Sequence, residues 1–193
     1  GGGGPADGTV ILRELVARDV QGATVAVIVD PESARVAASA GVGATVDLVV
    51  GGKTDDKHGP PLPLTGVVRL ISNGKFELRG PMGRGATQDF GLTVVFVVGG
   101  VEVILTEHRR QPFDAELLRS VGIEPTRRRL IALKSAVHFR QTYQDIAERI
   151  FDADTPGVHR PEFAAYTYKK LRPGVYPVSP VTTRPTFSSG QPS

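Results

Sequence analysis

Lys134, Ser135 and His138 crowd one short stretch, Lys134-Ser135-Ala136-Val137-His138. An ammonium group can hold a carboxylate or a developing oxyanion, and an imidazole can carry a proton or complete a hydrogen bond. A hydroxyl between them can cap a helix or, beside a base, act as a nucleophile. Gly-x-Ser-x-Gly is absent, and no acid is placed to orient His138, so a Ser-His triad lacks its frame. Binding fits better. Ser135 would cap a helix starting near Ala136, and Lys134 would put positive charge at the end of the preceding strand. A plain cap beside a surface charge stays open as the alternative.

Three other segments carry groups that could converge on the same space. Gly1-Gly2-Gly3-Gly4-Pro5 runs into Asp7, which reads as the N-cap of a helix from Gly8 onward. A Gly-rich loop before a helix can hold an anionic group, although Walker A and Rossmann spacings are both absent. Gly51-Gly52-Lys53 opens a polar loop that continues through Asp55, Asp56 and His58. Glycines just past a strand let the backbone approach a ligand closely, and Lys53 and His58 could reach it. Arg109, Arg110 and Gln111 follow a strong apolar strand and are placed to line a cleft. None of the His residues pairs with another at helical or hairpin spacing, and HExxH is absent. A metal would need ligands from distant loops, so no metal ligand is assigned.

These residues need elements to hold them. Val10 to Val16 reads as a helix, Thr24 to Val29 as a buried β-branched strand, Ser33 to Ala40 as a helix behind Asp30-Pro31, and Thr45 to Val50 as a strand. This β-α-β unit predicts a parallel pair. The texture then changes. Ser72-Asn73-Gly74 between apolar runs predicts one hairpin, and Gly99-Gly100 predicts a second. Asp114 predicts the N-cap of a short helix. Leu130 to Leu133 predicts a buried strand, and roughly His138 to Phe151 an amphipathic helix. The class is α/β, with a parallel β-α-β start, an antiparallel hairpin middle and a final strand-helix unit. Residues 181–193 read as a disordered tail.

Composition sets the outer bounds. The chain has 193 residues, 40% hydrophobic and 22% charged, enough for a real core. No Trp is present and aromatics make up 6%, so Val, Ile, Leu and Ala must build that core. Absence of Cys removes disulfides, thiolate metal sites and a Cys nucleophile, and fits a reducing, cytoplasmic setting. No apolar run approaches the ~20 residues of a membrane span. The net charge is only +3, and the clusters Arg109-Arg110 and Arg127-Arg128-Arg129 are not interleaved with aromatics. A nucleic-acid partner is therefore not expected.

Taken in order, Gly2-Gly3-Gly4-Pro5-Ala6-Asp7-Gly8-Thr9, Gly51-Gly52-Lys53-Thr54, His58-Gly59-Pro60-Pro61, Gln111-Pro112-Phe113-Asp114 and Lys134 to Arg140 resemble the C-terminal domain of the microcystinase C (MlrC) family of zinc metallopeptidases. The resemblance covers about residues 1–180. It implies a hydrolase of linear or unusual peptides and related amides. It also implies that Asp and His zinc ligands lie in an N-terminal domain absent from this chain, which would be this domain's partner. On that reading the chain forms one wall of a cleft and is inactive alone. Gly2, Gly3, Gly4, Asp7, Lys53, His58, Gln111, Lys134 and Ser135 would meet substrate, and His138 would serve as proton carrier. A stand-alone module binding a small anion uses the same loops without chemistry. A stand-alone hydrolase with its own metal at Asp55, Asp56 and His58 is the third reading.

Overall fold

The computed structural model describes residues 4–158, Phe163 and residues 166–178. It divides into two units, residues 1–159 and 160–193. In the second, Tyr166 meets Tyr168 edge-on with ring centroids 6.5 Å apart, and Tyr168 donates its hydroxyl to Phe163 O at 2.9 Å. The expected tail, residues 181–193, lies outside the described residues.

The first unit is a mixed α/β fold. Its elements run α1 (Val10–Ala17), β1 (Ala23–Val29), α2 (Pro31–Ala40), β2 (Thr45–Val50), β3 (Leu62–Ser72), β4 (Lys75–Glu77), β5 (Thr87–Asp89), β6 (Thr93–Val98), β7 (Val101–Thr106), α3 (Glu116–Ser120), β8 (Leu130–Leu133) and α4 (Arg140–Tyr143). The main sheet has the order β2-β3-β6-β7-β1-β8, and β4 pairs with β5 in a small second sheet. β1 lies parallel to both β7 and β8, while β2-β3, β3-β6 and β6-β7 are antiparallel.

Strand alternation sorts the side chains onto two faces. Val94, Phe96, Val101, Val103 and Leu105 pack with Leu12 and Leu15 of α1 and Ala34 and Ala37 of α2. Val95 and Ile104 point the other way, toward Leu117 and Leu118 of α3 and Tyr143 of α4. The β1-β7 register shifts between Ala26 and Ile28. Consequently the neighbours Ala26 and Val27 both join the second cluster, and Ile28 returns to the first. Helices on both faces bury the sheet, which explains the near-continuous apolar strands β1, β6 and β7.

Several local expectations change. α1 is capped at Thr9, without a side-chain bond, rather than at Asp7. Both β1 and β2 form, and α2 joins them with Asp30 as N-cap and Pro31 in its first turn. However, the parallel neighbours of β1 are β7 and β8, because β6 and β7 close a tight hairpin through Gly99-Gly100 and fill the space beside it. Asn73-Gly74 links β3 to β4 but closes no hairpin between them. β2 pairs with Leu62 to Val67 of β3 and β6 with Val67 to Ser72, while β4 pairs with β5. β8 is an edge strand, half-buried rather than buried, with Leu130 exposed. The helix after it stops at Tyr143. Phe139 and Tyr143 are buried, but Ile146 and Phe151 are exposed, and a short helix without a buried face to extend does not persist. Ala115 is the N-cap of α3, while Asp114 beside it accepts from Glu116 N at 2.9 Å.

Candidate functional site

Parallel strands end on the same side of a sheet, and their following loops meet there. Here the segment after β1 begins at Asp30, the segment after β7 runs through Arg109 and Gln111, and the segment after β8 begins at Lys134. The chain before α1 joins them, because Val29 donates its N–H to Ala6 O at 2.9 Å.

Five of the expected site residues gather at this edge. Gln111 donates from Nε2 to Ser135 Oγ at 2.7 Å. Its Oε1 lies 3.1 Å from His138 Nδ1. Ser135 Oγ also accepts the N–H of Phe139 at 3.3 Å, but it is not the expected helix cap: the helix begins at Arg140, not near Ala136, and its N-cap is Phe139. Arg109 Nη1 donates to Gly4 O at 3.4 Å. A methyl group built on Gly4 would stand 3.9 Å from Lys134 Nζ, so the leader and the lysine are neighbours. Lys134 and His138 are both exposed, while Ser135 and Gln111 are half-buried. Among the described residues, no carboxylate pairs with Lys134. Gly2 and Gly3 lie outside the described residues.

Asp7, Lys53 and His58 form a second, inward-facing group. Asp7 is buried, and its Oδ2 accepts the N–H groups of Lys53 at 3.1 Å and Thr54 at 3.0 Å. Lys53 Nζ reaches Asp30 Oδ1 at 3.1 Å, Glu32 Oε2 at 2.8 Å and Ser33 Oγ at 3.2 Å. An ammonium has three hydrogens, so this one is fully engaged within the protein. Partial burial pulls the Lys53 pKa down, but the bonds and charges of Glu32 and Asp30 outweigh it and raise the pKa above its ordinary value. Asp30 shows the mirror case. Burial pushes its carboxyl up, while donors from Gly51, Ser33 and Lys53 win and hold it below its ordinary value.

His58 is also engaged at both ring nitrogens. Nδ1 lies 2.7 Å from Asp55 Oδ1. Nε2 accepts the N–H of Val158 at 3.3 Å, which places the ring proton on Nδ1, where it is donated to Asp55. Lys57 N–H and then His58 hold the Asp55 carboxyl below its ordinary value. The His58 ring and Lys134 both line a small niche with Gly8, Val10, Thr155 and Pro156, with room of about 70 Å³. Gly51 and Gly52 approach the chain itself rather than open space. A side chain on Gly51 would meet Asp7 O, and one on Gly52 would meet Gly59 O, each at 2.5 Å.

Two features went unread in the sequence. Asp30 is the hub of the inner cluster, although its Asp-Pro pair signals only a helix start. Asp7 Oδ1 and Arg13 Nη2 are buried without hydrogen-bond partners, and no sequence pattern marks either. For a metal, the donor set does not fit: among the described residues, no group of three or more His, Cys, Asp or Glu side chains converges.

Residues 1–170 match the family model described as MlrC C-terminus. Over 185 residues the chain is 28% identical to microcystinase C of Sphingomonas sp., covering 94% of this chain and 34% of that protein. A crystal structure named "Putative metallopeptidase" from Mesorhizobium sp. BNC1 superposes with a TM-score of 0.78 at 28% identity, covering 93% of this chain and 36% of that one. The chain thus spans about a third of the length of each relative. With a single family model matched along most of its length, the chain belongs to the MlrC C-terminus family.

Proposed function

We propose that this chain is the substrate-facing part of a zinc-dependent hydrolase acting on linear or unusual peptides and related amides. The name metallopeptidase carried by one similar structure supports a metal in the reaction, and the described residues offer no fitting ligand set for one. Its ligands would belong to a further portion of a longer protein, the domain partner of this one. The observation that carries the reading is the convergence of Lys134, Ser135, His138 and Gln111 at the carboxyl ends of parallel strands. Each group has a use toward an amide. Lys134 supplies an ammonium that no carboxylate among the described residues engages, open to a substrate carboxylate or developing oxyanion. Ser135 keeps its hydroxyl hydrogen free, since both bonds assigned to Oγ are accepted ones. His138 presents one ring nitrogen outward. Lys53 and His58 have no free donor or acceptor to offer, so they hold the loops that shape the cleft.

The test is kinetic. In the full-length protein, Lys134→Ala and His138→Ala should each lower kcat/KM by about tenfold to a hundredfold, with bound zinc unchanged. Wild-type kcat/KM in both variants would refute the assignment. Elemental mass spectrometry of the present chain alone should find far less than one zinc per chain. One zinc per chain would move the metal into this domain and refute the division of labour.

A further inference from the structure

We infer that Gln111 is a positioning residue that fixes the tautomer of His138, placing its proton on Nδ1 and leaving Nε2 as an outward-facing acceptor. A primary amide has a donor end and an acceptor end. The donor end of Gln111 is spent on Ser135 Oγ at 2.7 Å, and the acceptor end faces His138 Nδ1 at 3.1 Å. A carbonyl oxygen can face Nδ1 only if that nitrogen carries hydrogen. In neutral imidazole the other nitrogen is then bare.

The chain of donors has an anchor. Phe139 is buried, and its backbone N–H donates to Ser135 Oγ at 3.3 Å. That N–H cannot reverse direction, so Ser135 Oγ is an acceptor at one lone pair whatever else it does. With the Gln111 amide on the other, the hydroxyl hydrogen points away from both. The result is an acceptor at His138 Nε2, a donor at Ser135 and a cation at Lys134, a set complementary to the N–H and C=O of an amide. A free imidazole prefers its proton on Nε2, so the surroundings must impose the opposite state. The reversed amide orientation would send every adjustable donor the other way and leave Nε2–H. The tautomer therefore reports the arrangement directly. That this state serves catalysis rests on the hydrolase reading above; the tautomer itself does not.

The experiment is long-range ¹H–¹⁵N correlation of the imidazole nitrogens in the ¹⁵N-labelled chain, above the pH at which His138 is neutral, with its signals assigned by their loss in His138→Asn. The expected pattern for His138 is Nδ1–H. In Gln111→Met it should shift toward Nε2–H. In Gln111→Glu a carboxylate, which can only accept, replaces the amide, so Nδ1–H should be retained. Nε2–H in the wild-type chain, or Nε2–H in Gln111→Glu, would overturn the inference. Gln111→Glu also covers the case in which Gln111→Met does not fold. Kinetics separate the two readings. An Nδ1–H pattern with kcat/KM unchanged in full-length His138→Ala would sink the catalytic reading alone. An Nε2–H pattern with that variant impaired would sink only this inference.

Discussion

At the scale of single residues, two lysines that look alike in sequence have opposite fates. Lys134 follows an edge strand and stands exposed without a carboxylate partner among the described residues. Lys53 is bound by Asp30, Glu32 and Ser33 and closes the loop after β2 onto the start of α2. Asp30 makes that closure sensitive to acid. Its folded-state carboxyl lies below the ordinary 3.8, so near and below that pH the unfolded chain binds more protons than the folded one. Stability is then fully present above about pH 4 and is lost as pH falls through the folded value. Asp30→Asn should cost about 2 kcal/mol at neutral pH and flatten the dependence of urea unfolding on pH below 4. An unchanged acid slope in the variant would show that Asp30 does not carry it. The Lys134-Ser135-His138 group was legible in the sequence because its members are near neighbours there. The fate of Lys53 was not, because Asp30 and Glu32 stand more than twenty positions upstream. His58 was hidden in the same way. Its second partner, Val158, lies 100 residues further on.

At the scale of elements, the sequence located the strands well and their partners poorly. The runs Thr45 to Val50 and Leu130 to Leu133 coincide with β2 and β8, because β-branched and apolar runs between turn residues are local signals. Pairing is not local. Nothing near Asn73-Gly74 reveals that the end of β3 pairs with β6 while β4 goes to β5. The stretch after Ser135 misled for a related reason: its apolar spacing suits a helix, but Ile146 and Phe151 are left exposed while, beyond Tyr143, only Ile150 packs against the core. The Gly51-Gly52 pair was read as room for a ligand, and the structure fills that room with the protein's own backbone. Gly52 has φ of 60° and lies against Gly59 and Pro60. Gly52→Ala should therefore lose about 3 kcal/mol in urea unfolding, from backbone strain added to a clash with rigid main chain. A loss within about 0.5 kcal/mol of zero would mean that the loop shifts freely to make room.

At the scale of the whole molecule, the sheet is mixed in a particular way. Its antiparallel half joins two pairs of chain neighbours, β2-β3 and β6-β7, through β3-β6, whereas its parallel half is built from remote pieces around β1. That half carries the candidate site, since the loops after β1, β7 and β8 meet at one edge. β1 is the second element made but the last strand to be completed: Ala23 pairs with Val101 on one side and with Leu130 on the other. During synthesis, the apolar run Ala23–Val29 must therefore leave the ribosome long before either neighbour exists. Such a run is prone to pair with the wrong strand while it waits. Ribosome-bound chains ending near residue 95 should be cut readily by protease within residues 23–29, and chains long enough to expose β8 should resist. Equal resistance at both lengths would show that β1 is sheltered early. Translation speed and chaperone supply, rather than the stability of the finished fold, would then set how much of this protein a cell recovers in usable form.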